Sequence, residues 1–151
     1  MRVVFYTLSR DDMSTFEGKI PGDVIEKTGE EGFYTIGGAD KEGRLIGFTQ
    51  FYIGNTDKGI PCGDIRYIFV EHDRQRKGAG TKMLSKVHSI LGKSGVNKCL
   101  VFLSKKDACE VFFKVNGYLF TKNDPELDGY QKRNCHGAAG SGSSQGICLI
   151  G

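Results

Sequence analysis

Residues 65–92, IRYIFVEHDRQRKGAGTKMLSKVHSILG, constrain this chain more than any other stretch. A strand-like run, DIRYIFV (64–70), leads through a charged turn into two glycines, Gly78 and Gly80. Met83, Leu84, Val87, Ile90 and Leu91 then recur at the spacing of one helix face, and Gly92 is expected to end the helix. A strand that turns straight into a helix presents the helix's first amides, unused by the helix itself, at the positive end of its dipole, where an anion is favoured. Glycine lets the backbone approach that anion closely, and Arg76 and Lys77 raise the local potential. An ordinary strand-to-helix turn can carry the same glycines, so the segment alone leaves its ligand open.

The charge pattern points the same way. Nine Lys/Arg and no Asp or Glu lie between Arg74 and Lys106, although the whole chain carries only +3. The remainder holds 12 basic and 18 acidic residues, a net of −6. Such asymmetry suits a polyanion, either a nucleotide cofactor or a nucleic acid. No aromatic residue interleaves the cations between Arg74 and Cys99, which disfavours a nucleic-acid stacking platform.

At 151 residues, a single domain (1–151) is expected. No apolar run approaches the roughly 20 residues of a membrane span, and the N-terminal stretch lacks a signal peptide's apolar region. Five cysteines without CxxC spacing indicate neither a disulfide framework nor a zinc site, so a reduced cytoplasmic setting with no metal is expected. The ending CLIG has only the outline of a prenylation box, since glycine is a poor final residue there.

Further strand-like runs are VVFYTL (3–8), FYTI (33–36), RLIGFTQFYI (44–53), KCLVFL (98–103) and YLFT (118–121). GGADKEGR (37–44) reads as a hairpin turn, which makes the centre an antiparallel meander. Ser9 and Asp12 form a capping-box pattern for a helix near Arg10, and GDVIEK (22–27) reads as a helical piece. A later helix takes its apolar stripe from Ala108, Val111, Phe112 and Val115, with Asn116 and Gly117 as a left-handed cap. Residues 122–146 read as a long polar loop, functional or flexible, and ICLI (147–150) as a candidate last strand.

Neither common nucleotide fingerprint is present. GKS at 92–94 has Val87 where a P-loop needs its first glycine, and Met83 stands where a dinucleotide fingerprint needs its third. Gln75-Arg76-Lys77-Gly78-Ala79-Gly80, between a strand and a helix, instead resembles the [QR]xxGx[GA] motif of the GNAT superfamily of acyl-CoA N-acyltransferases. ACEVFFKVNGYLF (108–120) is similar to that family's block after the fifth strand. The resemblance implies an α/β (α+β) fold with a central mixed, mostly antiparallel sheet flanked by helices.

The resemblance also implies acetyl-CoA as co-substrate, its pyrophosphate on the amides from Arg76 to Thr81 with Gln75, Lys77, Gly78, Ala79 and Gly80 in the cradle. The pantetheine arm would lie along Phe69 and Val70, with the Val70 N–H polarising the thioester carbonyl. Asp64 aligns with the position of a glutamate base in one branch of the family, and Glu71 and His72 compete with it. Phe113 stands where many members have a tyrosine acid, so a water, Tyr118 or Tyr130 would have to substitute, and Lys105 replaces the family's frequent Asn. The expected activity is acetyl transfer to a primary amine of a small molecule, peptide or protein by direct attack in a ternary complex. Two alternatives are a coenzyme A-binding protein with little or no transferase activity, and nucleic-acid-directed binding or acetylation. A homodimer is compatible with the sequence.

Overall fold

Seven strands form one open sheet in the computed structural model, which describes residues 2–75, 77–103, 110–121 and 144–150. In chain order these are β1 (Val4–Thr7), β2 (Phe33–Ala39), β3 (Leu45–Asn55), β4 (Pro61–Val70), β5 (Lys98–Leu103), β6 (Leu119–Thr121) and β7 (Ser144–Leu149). The spatial order is β1-β2-β3-β4-β5-β7-β6, with β4 and β5 parallel and the β1–β2, β2–β3, β5–β7 and β6–β7 pairs antiparallel. Helices α1 (Arg10–Met13), α2 (Gly22–Lys27), α3 (Ala79–Lys93) and α4 (Glu110–Val115) complete the mixed fold that the sequence implies. Arg76, Lys105, Ala108, Tyr130 and most of the expected 122–146 loop lie outside the described residues.

The chain divides into two compact units, Met1–Tyr52 with Arg66–Ser89, and Ile53–Ile65 with Ile90–Gly151. In the first, Ser9 and Asp12 make the capping box: the Asp12 N–H donates to Ser9 Oγ at 3.1 Å and the Ser9 N–H to Asp12 Oδ2 at 2.8 Å. Arg10 donates to the carbonyls of Glu26 (2.8 Å) and Thr28 (3.1 Å), fixing the end of α2. Two apolar clusters form, one of Leu8, Met13, Phe16, Ile20, Val24 and Phe48, the other of Ile46, Ala79 and Met83. The β2–β3 turn is narrower than GGADKEGR suggests, because Gly37 and Gly38 belong to β2. A Cβ at Gly37 would stand 2.6 Å from Leu8 and one at Gly38 2.9 Å from Val3, so these glycines serve packing rather than turning.

In the second unit β7 lies between β5 and β6, with Cys99 opposite Cys148 and Leu119 opposite Ile147. The strand begins at Ser144, so residues 144–146 belong to it and not to the expected loop. Gly146 fits because a Cβ there would come within 2.8 Å of both Phe120 and Val101. The helix α3 buries Met83, Leu84, Val87 and Leu91 as its spacing predicts, but Gly92 does not end it. Its stop is Gly95, at φ +78°, while the Val96 N–H returns to the Leu91 carbonyl at 2.9 Å, because the left-handed residue belongs after the last turn.

The face of α4 also differs from the expected stripe. Val111 and Val115 are 69% and 75% exposed, whereas Phe113 is 1% exposed and stands edge-on to Phe112 and Tyr118 at 5.2 Å. A six-residue helix makes less than two turns, and the largest ring, Phe113, takes the inward position. Gly117, at φ +94°, is the left-handed cap expected there.

Candidate functional site

The far end of β4 carries the candidate site, and its side chains alternate between two cores. Tyr67 and Phe69 pack on the Phe16–Phe48 cluster, Phe69 edge-on to Phe16 at 5.2 Å, while Ile68 and Val70 pack with Ile46 and Met83. Gly47 makes room for this backbone: a Cβ there would collide with the Phe69 carbonyl oxygen and come within 3.0 Å of Val70 Cα. Among the described residues, the β4–β5 ladder covers Gly63–Ile65 against Cys99–Val101.

After Val70 the chain is tied at Glu71, Arg74 and Gln75. The Glu71 N–H donates to the Ile46 carbonyl at 2.8 Å, and the Glu71 carboxylate accepts from Lys19 Nζ at 2.9 and 3.2 Å. A 3-10 turn follows at His72–Arg74. Arg74 Nη2 donates to Asp40 Oδ2 at 3.0 Å, and Gln75 Nε2 donates to the Val70 carbonyl at 3.0 Å. Arg74, one of three cations of the turn, is thus engaged by a carboxylate of the β2–β3 hairpin.

Asp40 is 6% exposed, and its Oδ1 accepts the backbone N–H groups of Glu42 (3.0 Å) and Arg44 (2.9 Å). The Arg44 amide, then the Glu42 amide and the Arg74 and Arg44 charges, hold its pKa below the ordinary carboxylate value against a smaller opposing effect of burial. Lys19 and Asp40 carry no signal of these roles in sequence. Asp-Lys-Glu-Gly is a legible turn, but the partners of Asp40 and Lys19 lie 34 and 52 residues away.

Gly78 sits at φ +84°, a backbone shape that suits glycine, and a Cβ there would meet nothing within 4 Å. Helix α3 follows at once, its Lys82 N–H bonded to the Gly78 carbonyl at 3.0 Å, with Ala79 buried and Gly80 half-buried. Lys77 and Thr81 are exposed beside it. Open space at Gly78 thus lies just before the first turn of α3, an end of a helix where its free amides favour an anion.

The remaining candidates lie in the second unit. Asp64 is 1% exposed in β4, aligned with Leu100 of β5. Tyr118 is buried and its hydroxyl hydrogen-bonds the Cys99 thiol; burial raises both pKa values, that of Cys99 to about 12. Among the described residues, no group of three or more His, Cys, Asp or Glu is placed to hold a metal, and no helix is long and apolar enough to cross a membrane.

The model of the acetyltransferase (GNAT) family matches residues 3–118, which contain the whole β4–turn–α3 segment. The chain belongs to this family. As a GNAT acetyltransferase it shares its fold with solved structures that are distant in sequence. One is an aminoglycoside 6'-N-acetyltransferase complexed with coenzyme A (TM-score 0.72, 13% identity, 97% of each chain covered). Another is the paia N-acetyltransferase of Thermoplasma acidophilum in complex with coenzyme A (0.67, 15%, 99% of each chain). A third is Tetrahymena GCN5 (0.67, 19%, 94% of this chain and 84% of that one). No curated protein matches the sequence.

Proposed function

We propose that this GNAT acetyltransferase is an N-acetyltransferase, one domain over 1–151, that moves the acetyl group of acetyl-CoA to a primary amine by direct attack in a ternary complex. The observation that carries the reading is the continuity of Ile68–Val70 with a glycine turn that has open space at Gly78, at an α-helix N-terminus. Two solved structures of this fold contain coenzyme A, which supports the same ligand here. Acetyl-CoA supplies an activated acetyl group as a thioester. On this reading the amides from Arg76 to Thr81 receive its diphosphate, with Gln75 holding the turn through the Val70 carbonyl. The Val70 N–H donates to the thioester oxygen, where negative charge grows during attack.

The acceptor must lose a proton before it attacks, because an ammonium has no lone pair. As the family resemblance implies, Asp64 or Glu71 takes that proton, directly or through one water; Glu71 already accepts from Lys19 at 2.9 Å. The coenzyme A thiolate can leave unprotonated: a thiol of pKa near about 8.5 loses only about 2 kcal/mol in doing so at pH 7. No hydroxyl at residue 113 is then required, and the Tyr118 hydroxyl is already bonded to Cys99.

Calorimetry with acetyl-CoA, followed by a screen of amines, amino acids, polyamines and peptides for amine-dependent thiol release, tests this directly. Binding that Gly78→Glu abolishes, with release that needs an added amine, is the expected result. Absence of acetyl-CoA binding by the wild-type protein would overturn the reading, and amine-independent release alone would favour a coenzyme A-binding protein instead.

A further inference from the structure

We propose that Asp40 and Arg74 form a tether whose role is to position the acyl-CoA turn, so that a hairpin remote in sequence sets the protein's affinity for coenzyme A. The inference rests on the proposed acyl-CoA site and adds to it two residues outside the motif.

Three observations converge. Asp40 is a buried carboxylate with all its described contacts assigned to two tasks: Oδ1 closes the hairpin through the amides of Glu42 and Arg44, and Oδ2 accepts Arg74. The β2–β3 register shifts between Gly38 and Ala39, an irregularity of the kind that re-aims neighbouring side chains, so the carboxylate comes from a fixed support. Arg74 in turn lies in the 3-10 turn, next to Gln75, whose side chain closes back on the Val70 carbonyl. The tether therefore acts on the few residues that link the β4 end to Gly78.

Backbone amides bind an anion well only when they are held in place beforehand, since any ordering left to be done on binding subtracts from affinity. Breaking the tether leaves the motif residues intact and loosens the link that aims them. Arg74 is by this account a positioning residue. A plain alternative is that Arg74 attracts the anion itself and Asp40 merely competes for it, and the two accounts predict opposite signs.

Asp40→Asn separates them. The amide oxygen of Asn still accepts from Glu42 and Arg44, while its NH2 cannot accept from Arg74. Calorimetric titration of the full chain with coenzyme A is expected to show dissociation constants raised about fivefold to tenfold in Asp40→Asn and in Arg74→Gln. The double variant should be no worse than either single one, and Arg74→Lys should recover part of the loss. With an amine acceptor, the KM for acetyl-CoA should rise while kcat at saturation stays within about twofold. A merely structural role would instead lower the binding stoichiometry and kcat and leave the dissociation constant unmoved.

Unchanged or tighter binding in Asp40→Asn would overturn the proposal, as would additive losses in the double variant. If Asp40→Asn fails to fold, Arg74→Gln decides by its salt dependence: a loss of affinity that persists at about 0.5 M salt supports the tether, and a loss that salt abolishes means that Arg74 attracts the anion directly and overturns the proposal. A wild-type protein that binds no coenzyme A would remove the acyl-CoA site and this proposal with it; wild-type binding with unmoved variants would remove this proposal alone.

Discussion

Between Val70 and Gly78 three polar side chains are tied down: Glu71 by Lys19, Arg74 by Asp40, Gln75 by the Val70 carbonyl. Along α4 the apolar side chains Val111 and Val115 face outward, while Phe113 alone is fully buried. The turn thus owes its shape to directional bonds that converge on a short piece of backbone, and α4 owes its seat to one large ring. In a turn, each tie removes a degree of freedom next to the proposed acyl-CoA site. On a short helix, the placement of one ring decides which way the other residues point.

This contrast predicts that α4 depends on a single contact. Phe113→Ala should cost about 3–5 kcal/mol in denaturant unfolding, because it empties a ring site closed by Phe112 and Tyr118. A cost below about 1 kcal/mol would show that the ring does not hold the helix. The first unit should be most sensitive where backbone meets backbone. Gly47→Ala should cost about 2–3 kcal/mol, since the new methyl meets the Phe69 carbonyl, which has no rotamer by which to move aside. It should also weaken coenzyme A binding, because Phe69 and Val70 must shift; intact stability and binding would mean that β3 yields there instead.

The smallest effect is expected at the outward face of α4. Val115→Lys should change stability by no more than about 0.5 kcal/mol, measured by the same unfolding curve. A larger loss would show that this face is covered in solution and would weaken the comparison with the turn.

Much of the fold was legible because its signals are local. The capping box of α1 needs only Ser9 and Asp12, the extent of β5 only a short apolar run, and the strand-to-helix turn only Gly78 before an amphipathic helix. The α4 stripe was misread because a spacing of apolar residues is satisfied by more than one face when a helix has six residues. Gly37, Gly38 and Gly92 were read as punctuation, although a glycine within a strand or helix can instead make room for a neighbour or simply be tolerated. The start of β7 at Ser144 was hidden in a Gly- and Ser-rich stretch, since its pairing partners lie in β5 and β6.

The sequence by itself determined the family, the order of elements and the place of the glycine turn, because these depend on glycine conformations and spacings within a few residues. Tertiary structure decided how that place is held. Lys19 finds Glu71 and Asp40 finds Arg74 across 52 and 34 residues, and Tyr118 is bonded to Cys99 rather than left open. Such partners meet only when the sheet assembles, and no local periodicity encodes a contact between side chains that distant in the chain.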